Sequence, residues 1–436
     1  MSDYMFMLEN HLSAEQNRVV TEVQAAATLA NVGVFLAGGA MRDMLGGFQV
    51  RDLDFSVEGN ALKLAKAVAE KTGARTVATD EVRKSAELVF PGGVTAQIAM
   101  ARAERYGKTG GKPQIAPATI QEDLRGRDFT VNAIALSLNR ASRGLLLDPT
   151  NGLADLEHRE LRAVGIYTLY DEPVRLLRLI RFAVRLNFAI DPRTRQQYEN
   201  ARAAEVEKLI PPRSLFEELR QIAQEPSPSE VLKALEQEGL LTLFSPILAG
   251  PKFNLAGLAK LDKAMRLLPD QAASRAGRPA PFLYALTEKF APREKSELAK
   301  RLEMRKPEID AWQKLEARAR KLEHALKSAR VKKPSQVYGI LSKAPADEVC
   351  FVLYRSALKP VQERVKNYFQ KYLPLAMEIG PEELAAITAR PGTPQYEKAR
   401  TELVAAHLDR RPRRAAAPAP EPPPEPAPRG RPRVNA

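Results

Sequence analysis

Two aspartates, Asp52 and Asp54, stand one residue apart on a segment, Arg51 to Val57, that reads as a β-strand. Side chains alternate faces along a strand, so both carboxylates point the same way. Upstream, after the short apolar run Val34-Phe35-Leu36-Ala37, comes Gly38-Gly39-Ala40-Met41-Arg42-Asp43. A glycine pair lets backbone N–H groups approach a phosphate with no side chain in the way. Paired carboxylates beside such a turn suit Mg²⁺ acting on a triphosphate, because Mg²⁺ takes one or two carboxylates and fills its other positions with water and phosphate oxygens. An Asp-x-Asp pair alone is also what a solvated acidic turn contains. The coupling to Gly-Gly-x-x-Arg-Asp at this spacing is what argues for catalysis.

Two further blocks bring polar groups together. Glu122 to Ala133 contains Arg127, a planar donor fork suited to phosphate. Asp128 and Asn132 in the same block would face one site if the segment were helical. Thr168 to Phe182 places Asp171-Glu172 before Pro173, a good helix opening. It then sets Arg175, Arg178 and Arg181, with Arg185 beyond, on one helical face opposite Leu176, Leu179, Ile180 and Ala183. Taken singly, a helix start with surface charges accounts for the first stretch equally well, and a solvated basic face accounts for the second better.

Taken together, AGGAMRDMLGG with RDLDFSV, the RDFTVNA element and the DEPVRLLRLIRF stretch resemble class II tRNA nucleotidyltransferases (CCA-adding enzymes) and bacterial poly(A) polymerases. The resemblance covers residues 30–245 and is thin beyond. It implies an α+β fold: a small mixed α/β, polymerase-beta-like nucleotidyltransferase head followed by an all-helical neck, body and tail. It implies that Asp52 and Asp54 are catalytic and hold Mg²⁺. Gly38, Gly39, Arg42, Asp43, Arg127, Asp128 and Asn132 would bind the nucleotide's triphosphate and sugar. Glu172 and Arg175 would select the base, with Arg178 and Arg181 in support. A carboxylate beside an arginine fork matches the amino group and ring acceptor of adenine or cytosine and opposes uracil and guanine. The implied substrates are CTP, ATP and the 3′ end of tRNA, extended by CCA or part of it without a nucleic-acid template. Poly(A) addition, CC-only or A-only addition, and a non-catalytic RNA-binding homologue are the alternatives.

The chain departs from the family pattern at three places. Gly126 stands where relatives carry the first arginine of the RRD element, with Arg125 the nearest substitute. Gln97 stands where relatives carry an acid, the position of a third carboxylate beside the aspartate pair. The order Asp171-Glu172, in place of Glu-Asp, gives the base-selecting carboxylate one extra methylene. The loop YGKTGGKPQIAP, with three glycines and two lysines, reads as mobile. In relatives this loop takes part in the switch to terminal A addition, and an ordinary surface loop is the alternative here. Pro212-Arg213-Ser214-Leu215-Phe216 reads as a structural helix opening, and residues 334–408 as a tail that holds the tRNA elbow.

The elements that must position these residues follow from periodicity. An amphipathic helix is expected over 10–30. Strands are expected at 32–37, 52–57, 75–78, 86–90 and 94–100, with helices at 40–45 and 60–72. Beyond Pro149 the spacing is helical, with helices expected over 173–188, 193–206, 213–224, 228–238, 255–266, 280–303, 307–328, 334–342, 345–357 and 360–374. The expected domains are a head at 1–148, a neck at 149–225, a body and tail at 226–408, and a disordered Pro/Ala/Arg-rich segment at 409–436. The 436 residues carry a net charge of +14 and a pI near 9.7, which favours a polyanionic partner. No apolar run approaches the ~18 residues of a membrane span, and no signal peptide is evident. A single cysteine, Cys350, excludes an internal disulfide, and with four histidines leaves no structural zinc set. A cytoplasmic protein with no membrane partner is expected.

Overall fold

The computed structural model describes residues 3–268, 277–380, 383–384, 386–390 and 393–410. The expected disordered segment lies outside the described residues from 411 onward. Two helices open the chain, α1 (Asp3–His11) and α2 (Ala14–Leu29), where one was expected over 10–30. The break is chemical: the Ser13 hydroxyl accepts from the Gln16 N–H at 3.2 Å while the Gln16 amide oxygen accepts from the Ser13 N–H at 3.0 Å, a capping box that starts a new helix.

The head follows as β1 (Gly33–Ala37), α3 (Gly39–Leu45), β2 (Leu53–Glu58), α4 (Ala61–Thr72), β3 (Arg75–Asp80), β4 (Ser85–Val89), β5 (Thr95–Met100), β6 (Arg102–Arg105), β7 (Gln114–Pro117), α5 (Ile120–Arg125), β8 (Ala135–Ser137) and β9 (Leu146–Leu147). Seven strands form one sheet in the order β3-β4-β5-β2-β1-β8-β9. Only β2 and β5 pair in parallel, which sets Asp54 opposite Gln97. Leu53, Phe55 and Val57 bury one face of β2, so Asp54 and Ser56 turn to the other. The segment read as a mobile loop is closed at its base by a two-stranded ladder, β6 with β7, pairing Arg102 with Pro117 and Arg105 with Gln114.

The rest is helical apart from a two-residue parallel ladder, β10 (Glu160–Leu161) with β11 (Ala189–Ile190). It begins with α6 (Gly152–His158), α7 (Thr168–Asp171), α8 (Arg175–Leu186), α9 (Pro192–Ala203), α10 (Pro212–Gln224) and α11 (Pro228–Gln237). Two long expected helices are each divided. Pro292 starts a new helix, giving Pro279–Leu286 and Pro292–Arg301 in place of 280–303. Residues 307–328 likewise form Lys306–Gln313 and Leu315–Lys327, separated at Lys314. One contiguous core runs from Leu36, Phe55 and Ile98 in the sheet through Leu176, Leu179 and Ile180 of α8 to Phe282 and Trp312. Helix α8 is thus held in this core by its leucines, and its arginines Arg175, Arg178, Arg181 and Arg185 line the cleft between it and the sheet.

Candidate active site

Every candidate site residue, from Gly38 to Arg181, lines one cleft of about 470 Å³ between the sheet and α8. The sequence blocks supply its walls: the β1–α3 turn and β2 on one side, the segment after α5 at the back, and α8 opposite.

At the sheet wall, Gly38 has φ +65, a conformation that favours glycine, and a Cβ there would lie 2.6 Å from Arg127 Nη1. A Cβ on Gly39 would lie 3.0 Å from Asp54 Oδ2. The Gly39 N–H donates to that oxygen at 3.0 Å. The glycine pair therefore seats Asp54 and Arg127 against the turn, and the Gly39 N–H is already engaged by a carboxylate. The Thr95 hydroxyl donates to Asp52 Oδ1. Burial, and then the charge of Asp52, push the Asp54 carboxyl up to about 6 against the opposing charges of Arg127 and Arg42.

This donor set fits a divalent cation. Two carboxylates share a face, and their mutual repulsion is what a bound cation would relieve. Among the described residues no group of three or more His, Cys, Asp or Glu side chains converges to hold a metal. Gln97 occupies the strand position opposite Asp54, and the next carboxylate outward is Glu87, opposite Gln97 on β4.

At the back of the cleft, Arg127 Nη2 donates to Ser56 Oγ and Asp123 Oδ2, each at 2.8 Å. The segment holding Asp128 and Asn132 is not α-helical. Only Thr130–Asn132 forms a single 3-10 turn, yet Asn132 Nδ2 still donates to Asp128 Oδ1 at 2.9 Å. Burial would raise the Asp128 carboxyl, but the charges of Arg178 and Arg175 and the Asn132 amide outweigh it and hold it down at about 2.

The arginines divide by exposure. Arg42 is 3% exposed, and donates from Nε and Nη2 to Asp43 Oδ1 at 2.8 and 2.6 Å and from Nη1 to Asn132 Oδ1 at 2.7 Å. Its fork, expected to bind the triphosphate, is engaged by Asp43 and Asn132 in this structure. Arg181 is likewise engaged, with Nε on Glu218 at 2.6 Å and Nη1 on Glu225 at 2.7 Å. Arg178 and Arg127 keep more open surface, with side chains 30% and 23% exposed.

At the neck end, Arg175 Nε donates to Glu172 Oε2 at 3.0 Å, while Nη1 and Nη2 donate to the carbonyls of Thr168 and Gly126. Gly126 thus contributes its backbone where the family pattern has an arginine. Arg125 does not replace that side chain; it lines a separate depression with Thr119, Gln121 and Glu122. Sequence reasoning missed Arg83, Glu104, Asp123, Glu218 and Glu225, which hold the site's charged groups. Arg83, Glu218 and Glu225 find their partners 21 to 174 residues away, beyond any local spacing, whereas Asp123 and Glu104 also pair locally, with Arg127, Arg102 and Tyr106.

Comparison with known proteins accords with this architecture. The family model of the poly A polymerase head domain matches residues 34–162. The CCA-adding enzyme of Bordetella pertussis is 34% identical over 289 residues, covering 63% of this chain and 69% of that protein. The chain belongs to the tRNA nucleotidyltransferase and poly(A) polymerase family. Family members carry different activities in their names: the Aquifex aeolicus A-adding tRNA nucleotidyltransferase is 36% identical over 227 residues, 52% of this chain, and the CC-adding tRNA nucleotidyltransferase of Deinococcus radiodurans is 37% identical over 208 residues. The chain spans 27% of the Aquifex protein and 30 to 56% of the next three curated relatives it matches. The apo form II structure of a CCA-adding enzyme shares the fold at a TM-score of 0.54 and 24% identity, covering 94% of this chain and 95% of that one. No helix among the described residues is long and apolar enough to cross a membrane.

Proposed function

We propose that the protein is a Mg²⁺-dependent nucleotidyltransferase that extends the 3′ end of tRNA from CTP and ATP, adding CCA or part of it. The observation that carries this reading is the cleft itself. Motifs separated by more than a hundred residues bring a carboxylate pair and an acceptor–donor pair, Glu172 and Arg175, to the lining of one cleft. A nucleoside triphosphate calls for both functions in one site.

Asp52 and Asp54 would hold Mg²⁺, which when bound supplies charge neutralisation for the triphosphate and a lowered pKa for the attacking hydroxyl. Asp52 and Asp54 orient the RNA 3′-hydroxyl toward the α-phosphorus. The 3′-hydroxyl gives up its proton to the Asp52–Asp54 pair, and its oxygen forms the new P–O bond as the bond to the leaving pyrophosphate breaks. Arg127, at the back of the cleft, and Arg178, on α8, face the triphosphate, and the Gly38-Gly39 turn keeps the backbone close enough for that approach. Glu172 accepts from the exocyclic amino group of the base while Arg175 donates to its ring nitrogen. Uracil and guanine put a carbonyl or a ring N–H where these groups need the reverse.

We assign residues 1–148 to the head, 149–225 to the neck and 226–408 to a helical body and tail that binds RNA through shape and phosphates, in a cytoplasmic setting. A partial, CC-only or A-only activity is the second reading, favoured by the names its relatives carry. The test is an end-labelled tRNA panel lacking CCA, ending in C or ending in CC, beside an unfolded RNA, with CTP, ATP or both. Completion of CCA supports the first reading, and arrest after CC or a single A selects the second. Long A-tails on the unfolded RNA would make it a poly(A) polymerase. No product on any RNA would contradict the assignment.

A further inference from the structure

Arg83 sits in the turn between β3 and β4, far in sequence from every motif of the cleft. Asp80 Oδ1 shapes that turn by accepting from the N–H groups of Val82 at 2.9 Å and Arg83 at 2.8 Å. The Arg83 guanidinium then spans two carboxylates: Nε donates to Glu104 Oε1 at 3.3 Å, and Nη2 to Glu172 Oε1 at 3.1 Å. Glu104 is itself fixed, accepting from Arg102 Nε at 2.7 Å and from the Tyr106 hydroxyl at 2.6 Å. The anchor on the Glu104 side is therefore rigid, and the free end of the fork reaches into the base-selecting end of the cleft.

Glu172 needs such an anchor. It lies between α7 and α8 with φ −129 and ψ 87, outside either helix, and its side chain is 23% exposed. Its arm has one more rotatable bond than the aspartate of the family pattern, and each free torsion lets an acceptor wander. Arg175 fixes Oε2 and Arg83 fixes Oε1, so each oxygen carries one protein donor and keeps a second lone pair for a ligand. We propose that Arg83 is a specificity-determining positioning residue: with Arg175 it pins the Glu172 carboxylate, oxygen by oxygen, in the orientation that accepts the amino edge of the incoming base. The proposal rests on the nucleotidyltransferase reading given above.

The test offers all four nucleoside triphosphates at equal concentration with Mg²⁺ to tRNA transcripts lacking CCA or ending in CC, and sequences the product ends. Arg83→Ala and Arg83→Met are compared with the unaltered protein, and Tm verifies folding of each. Misincorporation of U and G should rise by about 10-fold or more, the scale of one lost charge-assisted contact, while total turnover falls less. Arg83→Lys should restore part of the discrimination. In a Glu172→Asp background, whose shorter arm no longer reaches Arg83, the Arg83→Ala change should add little, a non-additivity that a merely structural role would not produce. Unchanged discrimination in Arg83→Ala and Arg83→Met, or an equal loss with all four nucleotides at unchanged Tm, overturns the proposal and leaves the enzymatic reading standing. Absence of transfer by the unaltered protein overturns both.

Discussion

Asp54 faces opposed demands at the scale of one residue. Its carboxyl is raised to about 6, so the folded state prefers it protonated. That preference contributes stability at pH below the ordinary carboxylate value, and the contribution is lost as pH rises through about 6. At pH 7 without divalent cations, Asp54→Asn should therefore raise stability by about 1 kcal/mol while lowering nucleotide transfer by about 10³-fold or more, checked by thermal melts and single-turnover extension. Asp128 runs the other way. Held at about 2 against an ordinary 3.8, its ionised form stabilises the fold fully above about pH 4, and this is lost as pH falls toward 2. Asp128→Asn should flatten that part of an acid-unfolding curve followed by circular dichroism. These two aspartates were legible in the sequence because each stands in a contiguous motif. Their opposite electrostatics were not, because Arg178 lies 50 residues from Asp128.

Helix α8 shows what periodicity conveys and what it leaves out. The alternation of leucines and arginines over 175–186 located the helix and both its faces, because burial of one stripe is a local property of the sequence. It did not separate the arginines from one another. Arg178 faces the open cleft, whereas Arg181 lies between Glu218 of α10 and Glu225 at that helix's C-terminal end, with side chains 6%, 3% and 3% exposed. Removing one partner of a buried ion pair leaves the other charge without compensation. Arg181→Ala should thus destabilise the protein by about 3–5 kcal/mol in urea titration, while Arg178→Ala should lose transfer efficiency with far less change in stability. The divided helices at Ser13 and Pro292 carry a related lesson. Caps and prolines interrupt an apolar repeat without disturbing it, so a reading by repeat alone runs two helices together.

At the scale of the whole molecule, head and neck form one cleft because their apolar residues share a core, and the charged residues collect along the seam. The basic excess of the chain, +14, gives it an attraction for polyanions that does not depend on the carboxylate pair. RNA affinity should fall steeply with salt, and it should do so equally in a protein lacking Asp52 and Asp54. Binding and chemistry are thus separable, and the most direct test uses that separation. Single-turnover extension of a tRNA transcript lacking CCA should be measured for the unaltered protein and for Asp52→Ala/Asp54→Ala, at RNA concentrations that saturate both. The account predicts nucleotide addition by the first and a loss of about 10³-fold or more in the second, at matched RNA binding and with the fold intact. Equal addition by both proteins would contradict it.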